Sequence, residues 1–120
     1  MSRDYHKLKV FDMAHILTKK IYTFTNKFPK EEMFGLTSQM RRASVSIPAN
    51  IAEGSARRSK KEYIQFLFNA LGSASELEYY IYLSKDLDYI SCNEYAELRD
   101  LENQVARMLQ GLIKAIESKP

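Results

Sequence analysis

The chain has little that bends or crosslinks a backbone: four glycines, three prolines and one cysteine in 120 residues. A single cysteine, Cys92, excludes an intramolecular disulfide and a thiolate metal cluster, and it fits a reducing cytosol. The opening Met1-Ser-Arg-Asp-Tyr-His6 has no apolar h-region, so no signal peptide is expected. No run approaches the roughly 18 apolar residues of a membrane span. The chain is therefore expected to be cytoplasmic, with no membrane partner. No His, Cys or carboxylate set shows metal-ligand spacing, and no Glu-x-x-His pair of the di-iron kind is present. His6 and His15 stand apart. Cys92 falls at a helix N-terminus, which can lower a thiol pKa, but a lone cysteine there is ordinarily incidental. No phosphate loop, Gly-x-Ser-x-Gly elbow or Walker pattern occurs. Neither a catalytic constellation, nor a metal, nor a cofactor is expected, and the chain is predicted not to be an enzyme.

What is present is ordinary for a globular protein: 45% hydrophobic and 28% charged residues. The length suits one domain with a real core. Few turn residues in such a length imply long elements. Val10, Ala14, Leu17, Ile21 and Phe24 recur at helical spacing, and Phe28-Pro29 ends that pattern, predicting a helix over Lys9 to Lys27. A second helix is expected from between Glu31 and Thr37 to about Ala56. Ser59-Lys-Lys-Glu62 and Ser91-Cys-Asn-Glu94 read as capping boxes. They predict helices over Lys60 to Asp86 and Cys92 to Glu117. Residues 1–8 are polar and aperiodic and read as a flexible arm. The expected fold is all-α: residues 9–118 as one antiparallel, up-down-up-down four-helix bundle.

The third helix is too apolar for one buried face. Tyr63, Phe66, Leu67, Ala70, Ala74, Leu77 and Ile81 share one side. Ile64, Phe68, Leu71, Tyr79 and Tyr82 form an adjacent one. A single bundle gives each helix one core stripe, so the excess suggests a contact with another subunit. A wide core stripe with some exposed tyrosine is the plainer alternative. In the fourth helix, Leu98, Val105, Leu109, Leu112 and Ile116 share the core face.

Net charge is +3, but the distribution says more. Residues 41–61 carry Arg41, Arg42, Arg57, Arg58, Lys60 and Lys61 against Glu53 alone. Residues 62–120 carry five Lys/Arg against ten Asp/Glu. A local cluster of one sign steers partners of the other sign, nucleic acid or an acidic protein surface. A solvated helix end is the alternative. All six are candidate nucleic-acid contacts: Arg41, Arg58, Lys60 and Lys61 are the best placed for phosphate, and Arg42 and Arg57 are alternatively held in the polar stripe described next.

The stretch Leu36 to Gly54 is the unusual one. Wound as a helix, it has an apolar stripe of Leu36, Met40, Ala43, Ile47 and Ile51. Beside it runs a polar stripe of Gln39, Arg42, Ser46, Asn50, Glu53 and Arg57. Asn50 with Glu53 and Glu53 with Arg57 are close enough to bond. The stripe reads either as a network fixing helix register or subunit geometry, or as a ligand cleft. Pro48 lies inside the helix. It lacks an N–H and frees the carbonyl of Ser44, so a kink is expected, and that carbonyl needs another donor.

The run Leu36-Thr-Ser-Gln-Met-Arg-Arg-Ala43, then Ser46-Ile-Pro-Ala-Asn-Ile-Ala-Glu-Gly54, then Phe66-Leu67, Ala70-Leu-Gly-Ser73 and Glu76-Leu-Glu78, resembles the 23S rRNA intervening-sequence proteins. The likeness extends to Phe28-Pro29-Lys-Glu and Met108-Leu-Gln-Gly-Leu112. The resemblance implies an antiparallel four-helix bundle assembling as a barrel-like homopentamer, with no established enzymatic activity. A related branch, the accessory variability proteins of diversity-generating retroelements, binds nucleic acid and a reverse transcriptase. The expected function is thus nucleic-acid binding, to structured RNA, through basic clusters repeated around a ring, with little sequence readout. The alternative is a scaffold that docks a partner protein such as a nucleic-acid enzyme.

Overall fold

A computed structural model describes residues 3–120. It contains four helices: α1 (Lys9–Thr25), α2 (Leu36–Ser55), α3 (Lys60–Asp86) and α4 (Cys92–Glu117). There is no strand among the described residues. The architecture is an all-α four-helix bundle, as expected. Each helix packs against two others: α2 on α1 and α3, α4 on α3 and α1. Thr18 meets Ser44 and Thr25 meets Arg41 across α1 and α2. Ser84 meets Met40 across α3 and α2, and Lys20 meets Glu97 across α1 and α4. Such pairings fit an up-down-up-down course.

The helix starts follow their caps. Ser59 Oγ accepts from the Glu62 N–H at 3.0 Å and opens α3. Ser91 and Glu94 form the full reciprocal box that opens α4. Both helices span the expected residues. α1 ends earlier than expected, at Thr25 instead of Lys27. The last turn tightens there, with the Phe28 N–H donating to the Thr25 carbonyl at 3.1 Å, just ahead of Pro29, which cannot continue the helix. The link between α3 and α4 turns at Asp88, φ 61°, a left-handed conformation that Asp tolerates better than most residues.

The core runs the length of the bundle. Leu17, Ile21, Ile47, Ile51, Leu67, Leu77, Ile81, Leu98, Val105 and Leu109 are fully buried. Each large side chain contributes roughly 1.5–3 kcal/mol by leaving water, against the entropy of ordering the chain. α2 and α3 converge at Gly54. A Cβ there would lie 2.7 Å from Phe66 Cβ, so glycine is what lets the two backbones approach.

The expected arm covers residues 1–8. Its first two residues lie outside the described ones. Beyond them, Tyr5–Lys7 form a 3-10 turn capped by Asp4. Arg3 Nη1 donates to the Arg57 carbonyl at 2.6 Å, and its guanidinium lies 4.4 Å over the Tyr63 ring. A cation there answers the negative C-terminal end of α2.

Candidate nucleic-acid interface

The six cations adjacent in sequence fall into two places. Arg41 and Arg42 lie in the second turn of α2. Arg57, Arg58, Lys60 and Lys61 lie at the turn between α2 and α3. Sixteen helical residues at ~1.5 Å each put Arg41 and Arg57 about 24 Å apart.

The α2–α3 turn belongs to a basic end of the bundle. Arg3 reaches it from one side, and Lys60 Nζ contacts the Lys119 carbonyl beyond α4. Arg58 and Lys61 are exposed and make no ion pair among the described residues. Arg57 is partly spent: its Nη2 bonds Glu53 Oε2 at 2.9 Å. The opposite end carries Glu31, Glu32, Asp86, Asp88, Glu94 and Glu97. Two cations there are paired, Lys27 with Glu94 and Lys20 with Glu97. The Lys27 ammonium and the Ser91 backbone hold the Glu94 carboxyl below the usual carboxylate range.

The polar stripe is only partly knit. Glu53 bonds Arg57, as expected, but Asn50 Nδ2 donates to the Ser46 carbonyl at 2.7 Å, not to Glu53. Ser46, Asn50 and Arg57 are half-buried, while Gln39, Arg42 and Glu53 are exposed. The Tyr80 hydroxyl, 3.5 Å from Gln39 Oε1, gives its proton to Glu76 at 2.6 Å. That bond to Glu76 is the first cause of the raised Tyr80 pKa. Gln39, Arg42, Ser46 and Glu76 instead line a small open groove between α2 and α3.

α2 continues through Pro48. The Ser44 carbonyl that proline leaves without a helical donor accepts from Thr18 Oγ1 of α1 at 2.9 Å. The same hydroxyl lies 3.0 Å from the Ala14 carbonyl of its own helix. One proton thus serves two acceptors, and Ser44 is wholly buried beside it. Sequence reasoning named the carbonyl but could not name the donor, which lies 26 residues away on another helix.

A larger groove, about 530 Å³, opens between α1 and the start of α2. Its lining joins Arg41, Arg42, Thr37, Ser38 and Ser46 with Tyr22, Met33, Phe34 and Val45. Phe34 is 93% exposed. On α3, the second apolar stripe is also open: Phe68, Tyr79 and Tyr82 are exposed, Ile64 and Leu71 half-buried.

Glu102 was not anticipated. It sits on α4 between the core residues Leu98 and Val105 and is 5% exposed. Burial, then Glu78 across on α3, push its carboxyl up to about 7. Arg99 opposes the shift, but its guanidinium is shared with Tyr95 Oη at 2.9 Å and Glu78 at 3.5 Å. The signal was available: Leu98, Glu102, Val105 and Leu109 keep the 4-3-4 spacing of one seam.

Among the described residues no three His, Cys, Asp or Glu side chains converge as metal ligands. Cys92 is exposed. No helix there is long and apolar enough to cross a membrane.

A family model described as 23S rRNA-intervening sequence protein matches residues 6–111. A crystal structure from Bacteroides thetaiotaomicron, described as a protein with unknown function from the S23 ribosomal protein family, is similar to this chain. It is 26% identical, with a TM-score of 0.81 over 88% of this chain and 95% of that one. No curated protein matches.

Proposed function

The chain belongs to the 23S rRNA-intervening sequence protein family, and from that premise we propose that it is a non-enzymatic, oligomeric RNA-binding protein. The observation that carries this reading is the segregation of charge. The basic end presents Arg58 and Lys61 to solvent without ion-pair partners among the described residues, while Lys20 and Lys27 toward the acidic end are each paired with a glutamate. A cation already bonded to a carboxylate releases no counterions when a phosphate approaches, and a free one does.

The oligomer has its own support. The Phe68–Tyr82 stripe on α3 is apolar and exposed, more apolar surface than one bundle buries on that helix. Packed heterologously against another face of the next copy, such a stripe closes into a ring when the rotation allows. A homopentamer repeats the basic end five times around one axis, adding avidity to weak single contacts. The exposed α3 stripe equally favours a second reading, a scaffold that docks a partner protein.

The test is RNA binding by fluorescence anisotropy over a salt series, with mass by light scattering. The expected result is a steep linear fall of log affinity with log salt and a mass near five times 14.0 kDa. Affinity insensitive to salt defeats the electrostatic mechanism. A 14.0 kDa species at micromolar concentration defeats the ring.

A further inference from the structure

The guanidinium of Arg41 is held in an unusual way. Its Nε donates to Thr25 Oγ1 and its Nη2 to Asn26 Oδ1, both at 3.0 Å. Its plane lies 4.7 Å over the Tyr22 ring. All three partners are neutral. The side chain is fixed, its entropy already surrendered, and its full charge remains unneutralised. Arg42, beside it, is exposed and has no bonded partner among the described residues. The groove that both line contains no carboxylate. Glu32, the nearest in sequence, is engaged elsewhere: it accepts from the Leu36 N–H at 3.1 Å and from the Tyr89 hydroxyl at 2.9 Å.

On the same groove stands Phe34, 93% exposed. A phenyl ring so fully in water gains nothing for the fold. It offers a flat apolar face to a ligand. Fixed cation, free cation, hydroxyls and an open ring together are the complement of a nucleotide: anionic at one end, a π-face at the other. The volume, about 530 Å³, falls within the ~300–1,000 Å³ of small-ligand sites.

We propose that this groove binds an unpaired nucleotide of RNA, its phosphate at Arg41 and Arg42 and its base stacked on Phe34. The proposal rests on the RNA-binding reading above and sharpens it. The basic end would grip backbone of any shape. This groove would require a base free of its duplex, because only a splayed base offers its face to an aromatic side chain.

The experiment compares two fluorescent probes at low salt: a short oligouridylate, and a blunt two-stranded RNA duplex with the same number of phosphates. The proteins are the wild type, Phe34→Ala and Phe34→Tyr, each weighed by light scattering. Stacking on one aromatic ring accounts for between about fivefold and about 150-fold in affinity. Phe34→Ala should therefore weaken oligouridylate binding about tenfold and leave binding of the blunt duplex unchanged. Phe34→Tyr, which keeps the ring, should bind both like the wild type. If the wild type binds the oligouridylate and Phe34→Ala binds it equally well, the groove proposal falls while the basic-end reading stands. If the wild type binds neither probe, the RNA-binding reading falls and takes this one with it. If Phe34→Ala lowers the mass of an assembly that the wild type holds, a second copy covers the groove and the proposal is overturned.

Discussion

Arg41 and Arg57 sit at opposite ends of α2, and each guanidinium lies 4.7 Å over an aromatic ring, Tyr22 or Phe66. There the likeness stops. Arg57 is bonded to the carboxylate of Glu53, and Arg41 to a hydroxyl and an amide oxygen. Stacking fixes both side chains; only the partner decides whether the charge is still on offer. The same rule reaches its limit at Glu102, a carboxylate in the core seam whose nearest opposite number on α3 is another carboxylate, Glu78.

The largest test of that rule is at Glu102. Its folded pKa of about 7 lies above the ordinary 4.5. The folded state therefore holds this proton more tightly than the unfolded state does. The resulting stabilisation is full below pH 4.5 and is lost as pH rises through 7. Over that window the loss is about 3 kcal/mol. Glu102→Gln should match the wild type in acid and exceed it at pH 8 by a similar amount in urea unfolding. Equal stability of the two proteins at pH 8 would show that the seam solvates the charge.

Next comes Gly54, which brings Phe66 close enough to lie under Arg57. Gly54→Ala places a methyl 2.7 Å from Phe66 Cβ and should cost about 2 kcal/mol. It should disturb the Arg57 stack and leave the Arg41 stack alone. Gly72 and Gly111, with open space around them, should instead gain about 0.5–1 kcal/mol on conversion to alanine. Equal thermal shifts at all three glycines would refute the close-approach argument.

Between the two arginines lies Pro48. Thr18→Val strips the Ser44 carbonyl of its donor and should cost about 1–2 kcal/mol. In a Pro48→Ala background the new N–H can serve that carbonyl, and the cost should shrink toward zero. A double-mutant cycle without this coupling would mean that water satisfies the carbonyl. The smallest effect is expected at Glu53. Glu53→Gln releases Arg57 and should raise RNA affinity a few-fold, with the salt slope steeper by just under one. An unchanged slope would mean that Arg57 is held by its ring alone and erase the contrast with Arg41.

Local signals made much of the fold legible. The bounds of α3 and α4 follow from Ser59 and Ser91, because a cap is chemistry between near neighbours. The core stripes of α1, α2 and α3 follow from periodicity. What escaped depended on distance. The donor for the Ser44 carbonyl comes from Thr18, on another helix. The apparent cluster from Arg41 to Lys61 came apart because a helix turns sequence neighbours into points about 24 Å from one another. Arg42, read either as a phosphate contact or as a member of the polar stripe, is exposed. Arg41, expected to be a free phosphate contact, is the one the fold holds in place. Phe34 drew no attention in the sequence because exposure has no local signature. Glu102 was passed over because the eye skips a charge inside an apolar repeat.

The bond from Thr18 to Ser44 has one more consequence. Apolar side chains tolerate sliding; one leucine will sit in another's hollow a turn further on. A carbonyl without a donor does not. If α1 slipped past α2 by a single turn, about 5.4 Å, Thr18 would face a carbonyl already satisfied within its own helix, and the orphan would be left dry. The proline thus works as a notch cut at one place along a rod, and the threonine is the tooth that fits it. Two helices otherwise free to settle at several offsets acquire a single alignment from the absence of one hydrogen atom.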